Sequence, residues 1–243
     1  MTEQNILMTD PTITLTANIV AVKKRISLAA TSVGRKATDI RLIAVTKTFS
    51  IGHVEAAISA GLIDLGENKI QEALHKQAIA KQQAYWHFIG HLQSNKARKA
   101  IAFDWVHSLN SVELLRRLNS AAADSGRLIN LLIQADISGE STKHGASKPE
   151  IYRILDYARE CQFAKIKGLM TIPPWSENPE KTRPYFRALR ELRDELRSNE
   201  PDVVQLDHLS MGMSHDLEVA VEEGATMVRI GTAIFGRRTT KSK

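Results

Sequence analysis

RLIAVTKTFSIGHVEAAISAGLIDLGENKIQEAL (residues 41–74) contains the same unit twice. RLIAVT (41–46) is a short apolar run rich in branched residues, and the stretch 51–60 then carries apolar residues at helical spacing between Ser50 and Gly61. LIDL (62–65) begins the pattern again, ahead of a second helical stretch over 69–82. A strand, a helix and a further strand in this order form the unit of a parallel sheet.

Working outward, the alternation continues through YWHFI (85–89), DWVH (104–107), LINLLIQA (128–135), KIKGL (165–169), VQLDH (204–208) and TMVRI (226–230). Helical stretches over 111–123, 148–161, 184–197 and 214–223 lie between them, with Pro184 in a first turn, where its missing N–H costs nothing. Eight strands joined by helical crossovers predict a single closed (β/α)8 TIM barrel rather than an open doubly wound sheet. Ahead of it, Leu15, Ile19, Val22, Ile26 and Val33 recur at helical spacing before Gly34, which predicts an extra N-terminal helix. Residues 1–13 read as a flexible extension, 14–236 as the barrel domain and 237–243 as a flexible tail.

Composition narrows the function. The 243 residues are 43% apolar and 25% charged, the balance of a globular domain. No apolar run approaches the roughly 20 residues that span a bilayer, and the opening residues lack a basic stretch followed by an apolar one, so a cytoplasmic protein is expected. The single cysteine, Cys161, can neither staple a secreted fold nor build a metal knuckle, and it ends a helix at the face of the barrel away from the chemistry. The formal charge is +6, but KKR (23–25), KARK (96–99) and RR (237–238) are short, dispersed and free of interleaved aromatics. That pattern fits a solvated surface favouring small anions better than a nucleic-acid track. His87, His91, His107 and His208 fall near strand ends without a closely spaced ligand pair, which favours hydrogen-bond donors over a metal site.

Barrels place their chemistry at the C-terminal ends of the strands. Lys47 stands after strand one, in register with Ile43 and Val45, so its amine points up over an apolar floor. A desolvated amine is prepared to attack a carbonyl and form a Schiff base; the alternative is a solvated lysine at a strand end. The loops after strands seven and eight, where barrels often bind phosphate, read SMGMS (210–214) and GTAIFG (231–236). There Ser210, Ser214 and Thr232 offer hydroxyls, Gly231 allows close approach, and Ser214 is expected to open a helix toward the anion. Ordinary caps and turns use the same residues, but two such loops at the two expected positions favour phosphate. Arg229, in the last strand, needs a buried partner and fits the ring nitrogen of pyridoxal 5′-phosphate (PLP), a contact that keeps the pyridine unprotonated. Asn68 fits the ring hydroxyl, although asparagine is also a common helix cap.

AVTKT (44–48), LGENKIQEA (65–73), WHFIGHLQSNKAR (86–98), GLMTIPP (168–174), LSMGMSHDLE (209–218) and TMVRIGTAIFG (226–236) together resemble the PLP homeostasis family, which is similar in fold to the barrel domain of alanine racemase. The resemblance runs from about residue 15 to 236. It implies PLP held covalently on Lys47, phosphate contacts from Ser210, Ser214, Gly231 and Thr232, and a ring-nitrogen contact from Arg229. It also implies a protein that handles PLP rather than turning over a substrate, and the expected role is a monomeric carrier that stores PLP and supplies it to apoenzymes, affecting amino-acid and keto-acid balance indirectly. The departures are an N-terminal extension of about ten residues and the loop histidines His144 and His215. The competing reading is an enzyme: a PLP-dependent racemase or lyase, or a PLP-free aldolase using Lys47.

Overall fold

Each apolar run finds a parallel partner on both sides. In the computed structural model, which describes residues 11–139, 144–199 and 205–237, the strands are β1 (Arg41–Val45), β2 (Asp64–Glu67), β3 (Tyr85–Phe88), β4 (Trp105–Leu109), β5 (Ile129–Gln134), β6 (Ala164–Met170), β7 (His208–Ser210) and β8 (Met227–Ile230). They pair in sequence order, and β1 closes the ring on β8 with Arg41 opposite Met227 and Ala44 opposite Ile230. The helices among the described residues are α1 (Pro11–Ser32), α2 (Ile51–Ser59), α3 (Ile70–Ile79), α4 (Ala97–Ala100), α5 (Val112–Ser125), α6 (Lys148–Ala158), α7 (Arg183–Asn199), α8 (Leu217–Glu222) and α9 (Thr232–Phe235). The single-turn α4 and α9 are too short to show a period and have no counterpart in the sequence pattern.

Strand parity divides the core into two layers. Leu65, Phe88, Val106, Leu131, Leu169, Leu209 and Val228 face outward beneath the helices, while Ile43, Trp105, Leu132, Met170 and Met227 form a separate cluster inside the barrel. Helix α5 shows how the outer layer is sealed. The Ser111 hydroxyl accepts from the Leu114 amide at its start, Leu114, Leu115, Leu118, Ala121 and Ala122 are buried along one side, and Gly126 ends it at φ 64°. Truncating one of those leucines to alanine costs about 2–5 kcal/mol in a packed core. No helix among the described residues is long and apolar enough to cross a membrane.

Several boundaries differ from the sequence pattern. Helix α1 starts at Pro11 rather than 14, and Val33 lies beyond its end and is exposed, so the buried stripe is Leu15, Ile19, Val22 and Ile26. Residues 1–10 of the extension and 238–243 of the tail lie outside the described residues. β2 lies two residues later than the pattern suggests, and β7 starts at His208, the last residue of the expected strand, so Ser210 belongs to a strand and not to a loop. In β7 the inner-face residues His208 and Ser210 are polar and flank a single Leu209, so this three-residue strand lacks the branched apolar run by which the others are recognised. Ser214 does not open a helix. α8 begins at Leu217 behind Asp216, whose carboxylate accepts the Met213 amide at 2.7 Å and closes the loop before the helix starts.

Candidate cofactor site at the barrel mouth

β1 delivers Lys47 to the mouth two residues past its last strand residue, and the side chain is half-buried there. Beneath it, Ile43 belongs to the interior cluster and Val45 lies against Gly66 and Gly231: a β-carbon on Gly231 would stand 3.5 Å from the Val45 carbonyl oxygen. The ends of β1 and β8 are therefore in contact, and Lys47 and Gly231 share one corner of the mouth.

The loops after β7 and β8 converge on the same corner. The Ser214 hydroxyl accepts the Ala233 amide of α9 at 3.2 Å, which leaves its own proton free to donate. Gly231 caps α9 and Thr232 is its first residue, exposed to the mouth. α1 braces this corner from outside. Arg25 donates to both Glu218 oxygens at 2.5 and 2.8 Å and to the Ser214 carbonyl at 3.1 Å, and the Asn18 amide donates to the Ile234 carbonyl at 2.9 Å.

Ser210 and Arg229 stand elsewhere, inside the barrel. Arg229 donates from Nη1 to the Ser210 hydroxyl at 2.7 Å and from Nη2 to the Thr171 carbonyl at 3.0 Å. The Ser210 hydroxyl is 2.9 Å from His107 Nδ1, His107 Nε2 is 3.0 Å from His87 Nδ1, and His87 Nε2 is 2.9 Å from the Asp64 carboxylate. Burial pushes both histidines below the usual imidazole range, His107 furthest because His87 and Arg229 also crowd it, so both are neutral. Only one proton arrangement then satisfies every contact. Arg229 gives to Ser210, Ser210 to His107, His107 to His87, and His87 to Asp64. Burial also lowers Arg229, to about 10, which still leaves the guanidinium charged near neutrality.

Comparison with known proteins bears on this geometry. The family profile of the alanine racemase N-terminal domain matches residues 18–239. The pyridoxal phosphate homeostasis protein of Aquifex aeolicus is 43% identical over 219 residues, covering 89% of this chain and 95% of its own. The chain belongs to the pyridoxal phosphate homeostasis protein family. Among solved structures, PipY of Synechococcus elongatus with PLP bound is 34% identical and matches at a TM-score of 0.81, over 91% of this chain and all of its own. The alanine racemase of Streptomyces lavendulae, at 21% identity and a TM-score of 0.71, shares the barrel fold over 92% of this chain and 56% of its own length.

The residues present fit the cofactor named in that family. Asn68, just past β2, has a buried side-chain oxygen with no hydrogen-bond partner among the described residues, the mark of a polar group awaiting a ligand. Its backbone is pressed by Gly90, where any β-carbon would fall inside contact with the Asn68 carbonyl oxygen. Lys47, Asn68, Ser214, Gly231 and Thr232 thus stand at the mouth, and Arg229 sits below them. The Ser210 hydroxyl is brought to Arg229 and His107, with no donor left for an anion. Sequence reasoning missed a second buried cluster beside Lys47, made of Thr46, Glu67, Glu72 and Lys76. Its only visible sign is the Glu72 and Lys76 pair, one helical turn apart.

Proposed function

We propose that this family member binds PLP as a Schiff base on Lys47 and acts as a cytoplasmic monomer that stores PLP and hands it to apoenzymes, without rapid turnover of amino acids. The observation that carries the reading is the meeting of β1 and β8. It brings an amine on an apolar floor, a corner of hydroxyl and amide donors, and a buried guanidinium onto adjacent strands. When bound, PLP supplies an aldehyde for amines and an electron-accepting ring. The chain's own part is to hold it. Lys47 forms the covalent link, the Ser214 hydroxyl and the Gly231–Thr232 corner meet the phosphate, and Asn68 faces the ring hydroxyl. Arg229 meets the ring nitrogen as a donor only, so the ring stays a weak electron sink. Ser210 joins through Arg229, which it orients, rather than by touching the phosphate.

The test has two parts. A visible spectrum, borohydride reduction and peptide mapping should place the pyridoxyl group on Lys47, with Lys47→Ala losing the absorbance; reduction mainly at another lysine would overturn the assignment. A panel of L- and D-amino acids should then give no Lys47-dependent turnover as fast as ~1 s⁻¹, the low end for ordinary enzymes, whereas such a rate would make the protein a racemase or lyase.

A further inference from the structure

Thr48, directly after Lys47, has φ 69° and is the one non-glycine residue with a positive φ among the described residues. A β-branched side chain keeps that conformation only where its surroundings enforce it. Here the enforcement comes from α3. Glu72 Oε1 accepts the Thr48 amide at 2.5 Å and also accepts Lys76 Nζ at 2.7 Å. The same ammonium donates to the Thr46 carbonyl and to Glu67 Oε1, each at 2.7 Å, and Glu67 Oε1 takes the Thr46 hydroxyl at 2.7 Å. The residues before and after Lys47 are thus both tied to one buried ammonium, directly at Thr46 and through Glu72 at Thr48. Lys76 has three donors and all three are used, so it is not a second nucleophile.

We propose that Lys76, acting through Glu72 and Glu67, is a positioning residue that locks the turn carrying Lys47 in the strained form that aims its amine at a carbonyl cofactor. The inference rests on Lys47 being the amine that binds PLP. Thr48 supplies the strain, and the ammonium with its carboxylates keeps it from relaxing to extended backbone, which would swing Lys47 away from the Gly231 corner.

The test is a pair of lock variants, each made with and without Thr48→Gly, since glycine adopts this φ without strain. Glu72→Ala keeps the fold, because its side chain is 24% exposed and the Lys76–Glu67 pair remains; Lys76→Met carries the larger lesion. Glu72→Ala should raise the Kd for PLP about tenfold and speed hydrogen exchange at the Thr48 amide of the cofactor-free protein, and adding Thr48→Gly should bring the Kd back to within roughly threefold of wild type. A merely structural role would give the same loss with threonine or glycine at position 48, and that result overturns the lock. Unchanged affinity in Glu72→Ala, with wild-type protein labelled at Lys47, overturns the lock alone. Wild-type protein labelled at another lysine overturns the Lys47 assignment and the lock with it.

Discussion

The Ser210 hydroxyl is spoken for by Arg229: it accepts the guanidinium at 2.7 Å, so its own proton is turned inward to His107 and none remains for an anion at the mouth. Ser214, four residues on, has the opposite status, because among the described residues it accepts a backbone amide alone and keeps its proton.

The two serines should therefore separate in titrations with PLP and pyridoxal. Ser214→Ala should weaken PLP and leave pyridoxal nearly unchanged. Ser210→Ala should weaken both by the same factor, through a loosened Arg229, and cost about 1–3 kcal/mol of stability by denaturant unfolding, since it strands two buried polar groups. A Ser210→Ala protein that lost PLP affinity alone would show that the hydroxyl turns to the phosphate after all.

Acid should weaken the fold through the same chain. His87 and His107 are depressed in the folded protein by burial, so below the unfolded imidazole pKa of about 6.5 the unfolded chain binds protons that the native one refuses. Their contribution is complete above that pH and is lost as pH falls, by up to ~1.4 kcal/mol per unit for each histidine. Urea unfolding between about pH 5 and pH 8 measures the slope. His107→Gln should flatten it, and an equal slope in the variant would rule out the imidazoles as its source.

On the proposed site, a carboxylate at the first residue of α9 would face the cofactor phosphate. Thr232→Asp should raise the Kd for PLP by tenfold or more and leave pyridoxal almost unaffected, because like charges about 4 Å apart cost ~1–4 kcal/mol in a partly solvated corner. Added salt should recover part of the loss. Equal weakening of both ligands would point to a distorted α9 instead.

Arg25→Ala should act at a distance. The pair with Glu218 is partly exposed, so stability should fall by no more than ~1 kcal/mol, yet the Ser214 carbonyl loses its brace. PLP affinity should drop a few-fold while the Lys47 linkage is retained, as read by titration and thermal melting side by side. A variant with wild-type affinity would mean that the loop holds its shape without α1.

The barrel was legible because its strands are branched apolar runs between helical spacings, and the order of pairing follows from the crossovers. The ends of β2 and β7 were not, since Gly66, His208 and Ser210 carry no strand signal of their own. At the mouth, the rule that barrels work at strand ends was enough to single out Lys47, Asn68, Gly231 and Thr232. The direction of Ser210 was hidden because its partner His107 is 103 residues distant and meets it only across the closed barrel. Glu67 ends β2 close to the mouth, but strand parity turns it outward onto Lys76, where burial raises its carboxyl.

The contact between the first strand and the last has a meaning for the chain as it is made. Lys47 leaves the ribosome some 180 residues before Gly231 and Thr232, and until β8 zips onto β1 it has neither that corner nor Arg229 beside it. On the proposed site, a growing or truncated chain would offer the vitamin only a bare amine, and tight capture would begin when the ring is sealed. Occupancy would act as a certificate of completed synthesis, and PLP as a staple across the seam, protecting against fraying of the two ends it joins.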